Sequence, residues 1–112
     1  MNIYYMNPEN ISKKNIYLMT KDPSCESVKN LPDNEVFIVS EILQYTDANS
    51  KGEEVDIMAV MTDLGPMACQ SKTFREQLKD IIEIFDLPVK IKKISGTTKA
   101  GREYITCTYA GE

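Results

Sequence analysis

The chain has 112 residues, of which 42% are hydrophobic and 27% charged, and its formal net charge is −4. This composition is typical of one small globular domain, and it is too acidic for a protein that coats duplex DNA by charge alone. The chain contains no histidine and no GxxxxGK, GxSxG or clustered DxD motif, so we do not expect an enzyme.

The cysteine spacing and the lengths of the apolar stretches argue against metal-binding, disulfide-rich, secreted and membrane-spanning proteins. Three cysteines without CxxC spacing argue against a zinc site and a disulfide framework, and we expect no metal and no cofactor. The N-terminal stretch "MNIYYMNPEN" lacks the pattern of a signal peptide, and no apolar stretch is long enough to span a bilayer. We therefore expect a cytoplasmic location without membrane contact.

Apolar periodicity predicts a mostly β chain. Residues 1–14 are expected to form an N-terminal extension, and residues 15–112 a single domain. Alternating or β-branched apolar runs predict strands over residues 15–22, 35–47, 54–63, 67–71, 88–95 and 102–110.

One helix is predicted over residues 73–87, where Thr73 and Glu76 have capping-box spacing and Pro88 marks the end. Its single apolar stripe consists of Phe74, Leu78, Ile81, Ile82 and Phe85. Strands, one helix and a final hairpin favour a five-stranded barrel of the oligonucleotide-binding (OB) type, with the helix between the third and fourth strands. The pattern also fits another α+β arrangement.

The hairpin is unusual for an acidic chain, because residues 89–102 contain five basic residues and no acidic one. The doubled Lys92 and Lys93 interrupt the alternation and predict a β-bulge. Because side chains alternate between the two faces of a strand, one face of the hairpin is expected to expose Lys90, Lys92, Arg102 and Tyr104. Lys99 is expected at the tip of the loop.

Such a face suits a single nucleic-acid strand, because cations can follow the phosphates and a tyrosine can stack on any base. Further candidates are Tyr45 at the end of a long strand, Lys51 in a polar loop and Lys72 just before the helix. The competing interpretation is that these lysines only solvate an exposed sheet face.

Charge is distributed unevenly along the chain. Residues 1–71 carry 5 basic and 11 acidic side chains, whereas residues 72–112 carry 8 and 6. This segregation fits one weakly bound strand in one groove, and it fits equally an acidic surface that docks a basic protein.

Several short stretches occur together in an order that is found in one phage family. They are "SVKNLPD" (27–33), "QY" (44–45), "GEE" (52–54), "SKT" (71–73) and "KIKKISGTTKAGREYI" (90–105). In these stretches the chain resembles the single-stranded DNA-binding protein of phages that prime replication with a terminal protein, the phi29 type. Residues 1–14 lie outside the resemblance.

The resemblance implies an OB-like fold and sequence-independent binding of the displaced strand during phage DNA replication, in the host cytoplasm. It also implies tyrosines that contact the bound strand, and Tyr45 stands where the family has one. The chain departs from the family at residues 66–70, "PMACQ", which include no aromatic residue before "SKT".

We thus expect a single-stranded DNA-binding protein that is a monomer or weak oligomer, with phosphate contacts from lysine and arginine and base stacking on Tyr45 and Tyr104. The alternative is a small acidic phage protein that binds and inhibits a host protein. A weaker alternative is a structural or regulatory subunit without a ligand of its own.

Overall fold

The computed structural model describes residues 1–111, and these form a mostly β fold with one sheet of seven strands and two α-helices. The elements in chain order are β1 (Asn2–Asn7), α1 (Lys13–Thr20), β2 (Glu26–Ser27), a 3-10 helix (Val28–Asn30), β3 (Val36–Ala48), β4 (Glu54–Thr62), β5 (Gly65–Cys69), α2 (Lys72–Phe85), β6 (Val89–Thr97) and β7 (Glu103–Tyr109).

The 13-residue strand β3 organises the sheet, because it pairs along both of its edges. One edge carries β4, and the other carries β6 beside residues 36–39 and β1 beside residues 42–46. A register shift between Val39 and Glu41 marks a β-bulge that bends the strand where its partner changes. The sheet curls into a half-barrel with the order β2-β5-β4-β3-β6-β7, and it stays open between its two ends.

The main hydrophobic core lies between the inner face of the curled sheet and α2. Ser71 caps α2 by accepting a hydrogen bond from the backbone N–H of Phe74. The buried helix positions are Phe74, Leu78, Ile81 and Ile82. The side chain of Phe85 closes the far end, where its ring stacks in parallel on Tyr109 with centroids 3.8 Å apart.

A second hydrophobic cluster lies on the opposite face of β3 and β4. Leu43, Tyr45 and Ala59 are buried there beneath Met19 of α1 and Ile11 of the segment that precedes it. Helix α1 begins after Ser12, whose side chain accepts a hydrogen bond from the N–H of Asn15. The centre of the sheet is therefore covered on both faces.

Most predicted elements are confirmed, but the predicted number of five strands and one helix is wrong. Residues 15–22 were expected as a strand, whereas Lys13–Thr20 form α1. The N-terminal residues also add β1 to the sheet. The expected bulge at Lys92 and Lys93 is absent, since β6 and β7 pair in unbroken register through both residues.

Candidate nucleic-acid interface

A cleft of about 1280 Å³ lies at the opening between the two ends of the sheet. One wall comes from residues 25–33 and the end of β5, and the other from the β6–β7 hairpin. The hydroxyl of Ser71 joins the two sides by donating a hydrogen bond to the carbonyl of Ile105 at 2.8 Å. The opening in the sheet thus provides a polar groove beside the main core.

Tyr104 lies on the hairpin wall of this cleft and is 37% exposed. It pairs with Gly96 across the hairpin, and its ring lies so close to that glycine that a Cβ atom at position 96 would collide with the ring. The absence of a side chain at Gly96 lets the ring lie against the backbone. The aromatic ring is thereby positioned before any ligand arrives.

The opposite wall is held by a buried lysine. Lys93 is 3% exposed, and its ammonium donates hydrogen bonds to the carbonyls of Lys29 at 3.0 Å and Leu31 at 2.5 Å. The carboxylate of Asp33 lies 3.8 Å away and also accepts a hydrogen bond from Ser95 at 2.6 Å. One side chain of β6 therefore fixes the segment that forms the facing wall.

The charged side chains that line the cleft are mixed in sign. They are Glu26, Lys29, Asp33, Lys93 and Glu103. Lys93 and Asp33 form one ion pair, so within residues 1–111 the remaining charged lining consists of Glu26 and Glu103 against Lys29. The charged side chains on the cleft walls are therefore slightly acidic in sum and do not attract phosphate by themselves.

Tyr45 reaches the cleft only marginally. It is 4% exposed, since its ring is packed in the second cluster beneath α1. Burial raises the pKa of its hydroxyl above the ordinary value, with a further contribution from the nearby Cys25 and Asp47. A base could stack on this ring only if α1 moved away.

Three predicted cations lie beside the cleft without lining it, and we call them the rim cations. Lys72 follows the lining residue Ser71, and Arg102 precedes the lining residue Glu103; Lys99 occupies the turn between β6 and β7. All three are exposed. The ammonium of Lys72 also lies 3.8 Å from the carboxylate of Glu76, an exposed pair that adds little stability.

The other three predicted lysines do not join this group. Lys90 and Lys92 lie on the outer face of β6, where they pair with Ile38 and Val36 of β3. Lys51 is exposed in the β3–β4 loop. Of the predicted site residues, Tyr104 and the rim cations lie together at the cleft. The lysines at positions 51, 90 and 92 lie apart from them.

The sequence interpretation missed the residues that build the walls. Lys93 follows the apolar Val89 and Ile91 at a spacing of two, and this parity alone would have placed its side chain inside the barrel. The assumed bulge concealed that signal. The same parity with Ile105 and Cys107 would have placed Glu103 on the inner face, whereas no comparable pattern identifies Asp33 as a lining residue.

A polar network links β1 to β4 near the start of α2. The hydroxyl of Tyr4 donates a hydrogen bond to Asp56 at 2.5 Å, and Arg75 bonds the second oxygen of that carboxylate at 3.1 Å. Burial and then this hydrogen bond raise the pKa of Tyr4 to about 12.

This network predicts that the stability of the fold depends on pH above pH 10. Because only the protonated hydroxyl donates to Asp56, its contribution to stability is complete below an unfolded tyrosine pKa of about 10 and is lost as the pH rises towards 12. We expect a tyrosine step near pH 12 in near-ultraviolet absorbance that Tyr4→Phe removes. The control is Tyr17→Phe, on the exposed side of α1, and it should leave the step near pH 12 in place. A step near pH 12 that remains in Tyr4→Phe would show that Tyr4 is not the group that titrates there.

No family model, curated protein or solved structure matches the chain. Within residues 1–111, neither helix is long and apolar enough to cross a membrane. In the same part of the chain no group of three histidine, cysteine, aspartate or glutamate side chains is arranged to hold a metal ion.

Proposed function

We propose that this protein binds single-stranded DNA without a defined recognition sequence, in the cleft between the two ends of its sheet. The observation that carries the proposal is the ring of Tyr104, held against Gly96 at the wall of a cleft large enough for several bases. A tyrosine fixed in this way can stack on any base at little entropic cost.

The strand order supports an OB-like interpretation of the half-barrel. Strands β3, β4 and β5 precede α2, strands β6 and β7 follow it, and β6 returns to pair with β3. In OB barrels the helix also lies between the third and fourth strands, and the loops after the first and fourth strands flank the oligonucleotide site. The corresponding loops here contain Lys51 and Lys99.

The cations support a path for the strand. Phosphates would contact the rim cations, and a strand that leaves the cleft over Tyr104 would pass Lys92 on the outer face of the same hairpin. Exposed cations of this kind give binding that weakens as salt is raised. Protection of displaced strands during phage-type replication is the setting that the sequence resemblance suggests.

The decisive experiment is a titration with oligo-dT, followed by intrinsic fluorescence, at low and high salt. The chain has six tyrosines and no tryptophan, so tyrosine emission reports on stacking directly. We expect saturable quenching that weakens with salt. An absence of binding at low salt would refute the proposal.

Tyr104 should dominate the affinity. We expect Tyr104→Ala to weaken binding about 5- to 150-fold, since stacking contributes about 1–3 kcal/mol per base. Tyr17→Ala is the matched control, because Tyr17 is 53% exposed on α1 and does not line the cleft. Equal affinities for the two variants would show that the ring is not the stacking platform.

The pairing of Tyr104 with Gly96 can be tested separately. Gly96→Ala would push the ring aside at little cost in stability, because the colliding atoms are the far end of a movable side chain. Binding should therefore weaken in Gly96→Ala, and the same change should have no further effect in the Tyr104→Ala background.

A second candidate is the binding of a host protein, and an apolar patch at the end of α2 favours it. Ile84 is 74% exposed, and Phe85 lines a shallow groove of about 310 Å³ together with Ile38. Stoichiometric capture of one host protein that Ile84→Asp abolishes, together with no DNA binding, would support this candidate.

A further inference from the structure

We infer that a strand bound at Tyr104 continues out of the cleft across the uncovered half of the outer sheet face, which forms a second segment of the binding site. The inference rests on the proposed function, because it extends the same bound strand. It gives a role to apolar and basic side chains that do not line the cleft.

The outer face of the sheet has two halves that differ in their cover. Beyond the bulge at residues 39–41 of β3, Leu43 and Tyr45 are buried beneath α1. Before the bulge, Val36 and Ile38 project outward from the same strand and remain 44% and 36% exposed. The first part of β3 and the β6–β7 hairpin therefore form an exposed sheet face that α1 does not cover.

None of the outward-facing residues of this half is acidic, although the chain as a whole is. Strand alternation and the pairing register place these residues side by side. We call them the outer patch: Val36, Ile38, Ser40, Lys90, Lys92, Ile94, Gly96, Tyr104, Thr106 and Thr108. Lysines among aliphatic side chains and one aromatic ring suit a single strand, because phosphates are attracted to cations and bases to apolar surfaces.

The two lysines of the outer patch are available to phosphates. Lys90 pairs with Ile38 and Lys92 with Val36 across neighbouring strands, so each ammonium lies beside an exposed apolar side chain. Within residues 1–111 neither lysine forms an ion pair. Their positive charge is therefore open to a ligand, in contrast to the mixed charges on the cleft walls.

Tyr104 joins the outer patch to the cleft. It lines the cleft, and its position in β7 also shares a face with Thr106 and Thr108. From Gly96, its partner across the hairpin, β6 extends about 20 Å to Lys90. This length accommodates several nucleotides, so the affinity should rise with strand length beyond what the cleft alone can hold.

The test compares labelled oligo-dT of about 5 and about 16 nucleotides, near the two ends of the range of OB-type site sizes, by fluorescence anisotropy over a series of salt concentrations. We expect Lys90→Gln combined with Lys92→Gln to weaken binding of the longer strand about tenfold and to reduce its salt slope by about 1.4. The shorter strand, held at Tyr104, should keep its affinity. Lys13→Gln combined with Lys14→Gln, at the exposed start of α1, is the charge-matched control and should change neither affinity.

The apolar part of the outer patch is tested by a second double variant. Val36→Thr combined with Ile38→Thr keeps the branched shape of both side chains and makes them more polar. We expect it to weaken binding of the longer strand about threefold without a change in the salt slope, because apolar contacts release no counterions.

Losses restricted to the longer strand in the two outer-patch variants, and absent from the control, would support the inference. Unchanged affinity of either variant for the longer strand, or equal losses for both strands, would overturn it and leave the proposed function standing. Capture of one host protein that the Lys90 and Lys92 substitutions abolish, with DNA binding unchanged, would assign the outer patch to a protein instead. Failure of both strands to bind the unmodified protein would overturn the inference and the proposed function together.

Discussion

Replacement of Lys93 by methionine is expected to lower the free energy of unfolding by about 1–3 kcal/mol. Methionine nearly preserves the length of the side chain but cannot donate hydrogen bonds, so the carbonyls of Lys29 and Leu31 lose a buried partner. A buried acceptor that loses its only donor costs about 1–3 kcal/mol, because it stays dehydrated without a hydrogen bond. Urea unfolding followed by far-ultraviolet circular dichroism measures the change.

The neighbouring residue provides the control for this experiment. Lys92→Met makes the same chemical change on the outer face of β6, and we expect it to shift stability by no more than about 0.5 kcal/mol. Similar losses in the two variants would contradict the inward position of Lys93. A loss of unfolding free energy that occurs only in Lys93→Met would also show that the hydrogen bonds between Lys93 and the cleft wall stabilise the whole fold.

The second large loss of stability is expected from a substitution in α1, the helix that covers the outer face of the sheet. Met19 is fully buried between α1 and the sheet, and Met19→Ala is expected to lower the free energy of unfolding by about 2–5 kcal/mol. The cost combines the lost transfer free energy of the side chain with the cavity that it leaves. Thermal or urea unfolding measures it directly.

Tyr17 is the matched control, because it lies two residues away on the exposed side of the same helix. Tyr17→Ala should change stability by no more than about 0.5 kcal/mol. If residues 13–20 formed an unpacked segment, both substitutions would be equally mild. A difference between them confirms that α1 covers the cluster that contains Tyr45.

The strands from β3 to β7 and the position of α2 could be predicted from local patterns. The apolar stripe from Phe74 to Ile82 repeats at helical spacing and faces one core, so periodicity and burial agree. In the same way, Ile91 and Cys107 alternate with polar neighbours in two strands that share one buried face. These elements need no knowledge of distant residues.

The candidate site was predictable only in part. Tyr104, Lys99 and Arg102 lie on the hairpin that the basic segment indicated, and the tyrosine lines the cleft with them beside it. Tyr45 was expected to be available for stacking, but the position of α1 above it was not visible in the sequence. Covering a sheet face depends on contacts between residues far apart in the chain.

By itself, the sequence determined the β-rich core, the capped helix α2 and the basic hairpin, because each follows from periodicity and local turn chemistry. Only the tertiary structure decided that residues 13–20 are helical, since an eight-residue helix is marginal alone and is stabilised by packing against β4 and β5. The inward position of Lys93 was decided in the same way. Its ammonium is stable there because the carbonyls of a segment some 60 residues earlier, at Lys29 and Leu31, replace the water that it loses.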